Sequence, residues 1–201
     1  MKNEGIDMGR IKEFKDKEAL EKAMILFWKK GYENTSLKDL LSEMDILNGS
    51  FYNSYGNKKN LFMKTLDFYA EEVTAKRGAL LAECPNFKEG IRLLFQEMFQ
   101  CFDDNTAPKG CLLVNSISND LLQDPEIQKY VKTEIDNFKL FFEEQLREAV
   151  ETKELESTLD IPLTASIIVT YIQGVMRLSN LNYCTKNFRQ QTDIFLTALG
   201  I

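Results

Sequence analysis

The chain has 201 residues, 44% hydrophobic and 28% charged, with 10 Gly, 4 Pro and a net charge of −6; it is long enough to bury a core without disulfides, and it is too rich in apolar residues to be disordered. It contains no His, and its four cysteines, Cys84, Cys101, Cys111 and Cys184, form no CxxC pair, which excludes zinc-finger spacings, His-based metal sites and His-dependent triads. The acidity is uneven: residues 1–64 carry 12 Lys and Arg against 10 Asp and Glu, whereas residues 65–201 carry 13 against 21, so an acidic total still leaves a mildly basic N-terminal end.

From Asp16 to Lys30, Ala19, Leu20, Ala23, Met24, Phe27 and Trp28 recur at three- and four-residue steps and predict an amphipathic helix, with Asp16 as cap and Gly31 as stop. Ser36-Leu37-Lys38-Asp39 then places a carboxylate three residues after a hydroxyl, a capping-box pattern opening a short helix whose inner side is Leu37, Leu40, Leu41 and Met44. Asp45 to Ser50 has the length of a tight turn, a third short helix covers Asn48 to Ser54, and Gly56-Asn57 ends it. A long helix from Lys58 to Ala82 follows, closed by Cys84-Pro85-Asn86. Further helices are predicted over Phe87–Phe102, Lys109–Asn119, Pro125–Thr152, Ile161–Cys184 and Asn187–Leu199. The class is all-α, about nine helices.

The segments Thr35-Ser36-Leu37-Lys38-Asp39-Leu40-Leu41 and Gly49-Ser50-Phe51-Tyr52-Asn53-Ser54-Tyr55-Gly56-Asn57-Lys58-Lys59-Asn60-Leu61-Phe62 resemble the DNA-binding domain of the TetR (tetracycline-repressor) family, and the resemblance spans roughly Gly9 to Phe62. It implies a three-helix helix-turn-helix domain over residues 1–57 and a larger helical ligand-binding and dimerisation domain over 58–201. It also implies a transcriptional regulator, a repressor released from a pseudo-palindromic operator by a small effector. Chemistry supports the same surface. Asn48, Ser50 and Asn53 are short hydrogen-bonding side chains suited to base edges or phosphates, and Tyr52 offers a ring to the sugars and a hydroxyl to a phosphate. Lys58 heads a helix, where its ammonium and the first-turn N–H groups can hold one phosphate, and Thr35 is expected to do the same at the second helix. Phe51 and Tyr55 read as core, and Trp28 as packing or interface.

Three positions depart from the family pattern. Asp45 stands where the turn usually has Gly, Leu47 stands where a small hydroxylic cap is expected, leaving Asn48 to cap instead, and Ser54 replaces an aromatic residue or His.

Beyond residue 58 the resemblance thins. Lys109-Gly110-Cys111-Leu112-Leu113-Val114-Asn115-Ser116 looks like the head of a ligand-domain helix in one subgroup of the family. Phe95, Met98, Phe99, Phe102, Phe138, Phe142, Tyr171 and Met176 recur at helical spacing; core packing is their default role, and a bundle this rich in rings can also hold an apolar or aromatic effector. A rival trigger is oxidation or alkylation of Cys111, beside Lys109 near a helix start.

The apolar stretch within Ile161–Cys184, together with Asn187–Leu199, is expected to form a homodimer interface, and effector binding to shift the spacing of two DNA heads through the helix Lys58–Ala82. The uncharged run Ile161–Met176 is shorter than the ~20 residues of a bilayer span, and the N-terminus has no signal-peptide pattern, so a cytoplasmic protein with no membrane contact is expected. No cofactor or metal is implied. An enzyme on a helical bundle lacks any His or Cys–base pair, and a helical interaction module that does not bind DNA is disfavoured by the N-terminal motif.

Overall fold

The computed structural model describes residues 4–104, 107–116, 121–181 and 184–201, with side chains from residue 16 onward except Leu122. All its regular elements are helical. They group into two compact units, Met1–Glu71 and Glu72–Ile201.

In the first unit, α1 runs from Glu4 to Lys30, α2 from Leu37 to Met44, α3 from Asn48 to Tyr55 and α4 from Lys58 to Tyr69. The helix expected to begin at Asp16 starts at Glu4, because residues 10–18 are mostly good helix formers and Asp16 is carried inside. Gly31 ends α1 at φ +78°, its N–H donating to the Phe27 carbonyl at 2.8 Å. The capping box of α2 closes in both directions: Ser36 Oγ accepts from the Asp39 N–H and the Asp39 carboxylate accepts from the Ser36 N–H, each at 3.1 Å. Asp45 then turns left-handed (φ 54°, ψ 48°), the conformation for which Gly was the expected residue. Phe27, Leu40, Phe51, Leu61, Phe62 and Leu66 are fully buried. The Phe27 ring meets Phe62 edge-on at 5.0 Å, and Trp28 meets Tyr69 edge-on at 4.9 Å. These α1–α4 contacts draw Lys58–Tyr69 into the N-terminal unit, so the compact unit reaches Glu71 and not the expected residue 57.

The helical chain continues from α4 through one π turn, Ala70–Thr74, into α5, Ala75–Ala82. In the second unit follow α6 (Phe87–Asp104), the single-turn α7 (Leu112–Asn115), a 3-10 turn at Leu121–Gln123, α8 (Pro125–Glu151), α9 (Ile161–Ser179) and α10 (Thr185–Ala198). Residues 117–119 and 182–183, inside two of the expected helices, lie outside the described residues. Asp124 and Asp160 cap α8 and α9 with their carboxylates, each followed by Pro in the first turn, where its missing N–H costs nothing.

The start of α6 is held both locally, where Asn86 Oδ1 accepts from the Glu89 N–H at 2.9 Å, and from afar. The Glu154 carboxylate accepts from the Phe87 N–H at 2.8 Å and the Lys88 N–H at 2.7 Å. α5 packs on α6 so closely that a Cβ on Gly90 would lie 2.6 Å from the Leu81 carbonyl oxygen. The helix expected from Lys109 is delayed to Leu112. Gly110 takes φ +82°, its N–H donating to Ser179 Oγ at 3.0 Å, and Cys111 is extended.

By length and composition alone, α9 is apolar enough to cross a bilayer. It packs against α8, burying Ala165, Ile168, Val169, Ile172, Val175 and Met176 and leaving Leu163, Ile167 and Leu178 exposed.

Candidate nucleic-acid interface and effector region

α3 is two-faced. Phe51 is 1% exposed and Tyr55 half-buried, their rings 5.7 Å apart, as expected of core residues. Asn48, Gly49, Ser50, Tyr52, Asn53 and Ser54 all face solvent. The Tyr52 ring stands edge-on against Phe51 at 5.4 Å, which fixes its stem and leaves half of its surface open. Asn48 does not cap. Leu47 occupies the N-cap with no side-chain hydrogen bond, and Asn48 is the first helical residue, its amide exposed.

Lys58 opens α4 with its Nζ 4.2 Å from the centre of the Tyr32 ring. Partial burial there lowers its pKa, an effect opposed by the carboxylate of Glu33. Asn57 Oδ1 accepts from the Asn60 N–H at 2.8 Å, so a phosphate at this helix start would meet the positioned ammonium and only part of the first turn. Tyr32 was not singled out from the sequence; an aromatic residue directly after the Gly31 stop was the available signal.

Thr35 requires a correction. Its side chain is wholly buried, with Oγ1 donating to the Gly31 carbonyl at 2.7 Å and its N–H to the Tyr32 carbonyl at 3.2 Å, so both donors serve the α1–α2 turn and not a phosphate. Ser36, next to it, is exposed.

In the C-terminal unit, Phe95, Met98, Phe99, Phe102, Phe142 and Met176 are buried, whereas Phe138 and Tyr171 are partly open. Most of these rings contact one another. Phe99 neighbours Phe95, Phe102 and Phe188, and Tyr171 stacks on Phe195 at 3.9 Å, its hydroxyl 3.0 Å from Thr192 Oγ1. Phe138 and Phe142 form a separate pair on α8. Of the eight, Phe95 and Phe99 line a groove of about 270 Å³ between α6 and α10, with Arg92, Arg189, Thr192 and Leu196 around it. Arg189 lies over the Phe99 ring, 5.3 Å from its centre, and pairs with Asp103 at 3.0 Å. A second cavity of about 280 Å³ lies among Leu81, Cys84, Phe87, Gln145, Ala149 and Glu154 and includes none of the eight.

Cys111 is 7% exposed and sits at the N-cap of the four-residue α7, whereas Cys184 is exposed.

The family model "Bacterial regulatory proteins, tetR family" matches residues 19–64, and "Tetracyclin repressor-like, C-terminal domain" matches residues 88–195. The HTH-type transcriptional regulator YezE of Bacillus subtilis (strain 168) is 35% identical over 148 residues, 74% of this chain and 76% of its own. The HTH-type transcriptional repressor ComR of Escherichia coli (strain K12) is 37% identical over 109 residues, 54% of this chain and 52% of its own. Among solved structures, a cysteine mutant of the TetR family transcriptional regulator CifR, complexed with 26-base-pair operator DNA, superimposes with a TM-score of 0.84 at 25% identity over 90% of this chain and 94% of that one.

Proposed function

The chain belongs to the TetR family of DNA-binding transcriptional regulators, and on that premise we propose that it acts in the cytoplasm as a homodimeric, non-enzymatic repressor that docks α3 in the major groove and is released by an aromatic small molecule. The observation that carries the reading is the division of α3: Phe51 is buried beneath it while Asn48, Ser50, Tyr52 and Asn53 form an exposed polar surface, with Lys58 at the head of the next helix. In a helix-turn-helix the second helix enters the major groove, and a dimer reads two half-sites about 34 Å apart. Tyr52 and Lys58 serve the phosphates and sugars; Asn48, Ser50 and Asn53 serve base edges.

The exposed Leu163, Ile167 and Leu178 of α9, with Ile194 of α10, supply the apolar surface for dimerisation. The groove lined by Phe95 and Phe99, with Arg92, Arg189, Thr192 and Leu196, is the proposed effector site. A difference of ~1–3 kcal/mol in effector affinity between two dimer geometries suffices for a 5–150-fold change in operator affinity. The burial of Cys111 leaves direct thiol sensing at that residue unsupported.

Operator binding, measured as a function of salt by fluorescence anisotropy on DNA recovered by genomic footprinting, tests the reading. Tyr52→Ala and Lys58→Ala weaken binding to all sequences, and Lys58→Ala also lowers the salt slope by about one per protomer. Asn48→Ala and Ser50→Ala change which base is preferred. Wild-type affinity and salt slope in both the Tyr52 and Lys58 variants would refute this placement of the DNA surface.

A further inference from the structure

We propose that Leu47 is a base-reading residue that recognises the 5-methyl group of a thymine in each operator half-site. The proposal rests on the reading that α3 faces DNA. Leu47 is 80% exposed, more than any other large apolar side chain among the described residues. It occupies the N-cap of α3, extended at φ −78° and ψ 153°, and makes no capping bond. That position favours Ser, Thr, Asp or Asn, whose oxygen would accept from the first-turn N–H groups, so leucine forgoes a local gain while placing a branched apolar group in water.

The group is continuous with the DNA-facing row. Asn48 and Ser50 are exposed beside it, and no atom lies within 4 Å of the Cβ that Gly49 lacks, so the entry to α3 is unobstructed. The N-terminal residues of a recognition helix are those that reach base edges. Leucine can neither donate nor accept a hydrogen bond, which removes phosphates and polar base edges as partners and makes them costly neighbours, since they would be desolvated without compensation. The major groove offers one apolar feature, the C5-methyl of thymine, which hydrocarbon side chains contact.

Operators in which single thymines are replaced by deoxyuridine differ only by that methyl. The wild-type dimer is expected to show one half-site position where the replacement weakens binding about fourfold, and about fifteenfold when both half-sites are changed. Leu47→Ala and Leu47→Ser should bind the thymine and uracil operators equally, with the affinity of the wild type for the uracil operator. Leu47→Ser supplies a capping hydroxyl, so its thermal midpoint should not fall, which separates lost reading from lost folding. Selective wild-type binding with no uracil penalty anywhere, or the same penalty retained in both variants, overturns the proposal and leaves the DNA reading standing. Self-association of the wild type that Leu47→Ser abolishes, again without a uracil penalty, assigns the side chain to a second copy of the chain and overturns it too. If the wild type shows no sequence-selective binding at all, the DNA reading fails and this proposal with it.

Discussion

The two units end their helices by different means. In the N-terminal unit each described cap is supplied from within a few residues: Ser36 and Asp39 for α2, Asp45 at its far end, Asn57 for α4, and Gly31 with Thr35 closing α1. In the C-terminal unit α6, α8 and α9 also have local caps, from Asn86, Asp124 and Asp160, but further groups at helix ends are held across long sequence separations. Glu154 caps α6 from 67 and 66 residues away, Ser179 receives the Gly110 N–H across 69, and Asp103 at the end of α6 accepts from Thr185 and Arg189 of α10, 82 and 86 residues on. A unit stitched by neighbours can hold its shape while its outer face varies, which suits a surface that reads bases. A unit whose helix ends are tied across long sequence separations is expected to open with more of its helices together.

Four measurements bear on this contrast. The largest effect is expected for Glu154→Ala, which strips a charged acceptor from two part-buried amides at once and should lower stability to denaturant by about 3 kcal/mol. A cost no larger than that of a local cap would erase the distinction. Next is Gly90→Ala, whose methyl meets a backbone carbonyl that cannot rotate away; about 2 kcal/mol should be lost, with the α5–α6 contact as the damaged feature. Ser36→Ala removes one local capping box and should cost about 1 kcal/mol.

The smallest effect is in acid. Hydrogen bonds from the Ser36 backbone hold Asp39 below the usual carboxylate pKa of 3.8, and those from Thr185, then Arg189, do the same for Asp103. A carboxylate depressed in the folded state contributes stability that is fully present above its unfolded-state pKa and is lost as pH falls through the lower folded-state value. The thermal midpoint should therefore fall as pH is lowered below about 4, and less steeply in Asp39→Asn and Asp103→Asn. A slope unchanged by either substitution would show that these two carboxylates contribute nothing.

The same contrast explains which features were legible in advance. The α2 capping box and the stop at Gly31 are fixed-offset patterns, and both form as spaced. So does the split of α3 between buried Phe51 and its polar neighbours. Thr35 was misread because its type suits both a phosphate and the turn it closes, and only the backbone path shows that the Gly31 carbonyl takes the hydroxyl. The late start of α7 depends on Ser179, which no local pattern around Gly110 announces. Helical spacing brought the C-terminal aromatic residues to the inside, but whether rings pack or leave a gap is decided by partners on other helices. Phe188 and Phe195, absent from the expected set, fill the space beside Phe99 and Tyr171. Nothing in Ala70–Thr74 distinguishes a π turn from an α turn by composition.

Trp28 is the chain's one tryptophan, 5% exposed and edge-on to Tyr69 within the N-terminal unit. Excitation at the red edge of the indole band therefore addresses that unit alone, with no label and no substitution. A buried indole emits at shorter wavelength than a hydrated one, so the emission maximum reports when the DNA-binding half opens. Far-UV circular dichroism sums the helices of both halves, the greater share of them in the other half, so its departure from the indole signal reports when the remainder opens. Coincident transitions would show the two halves unfolding as one, and separated transitions would time each half by its own optical signal.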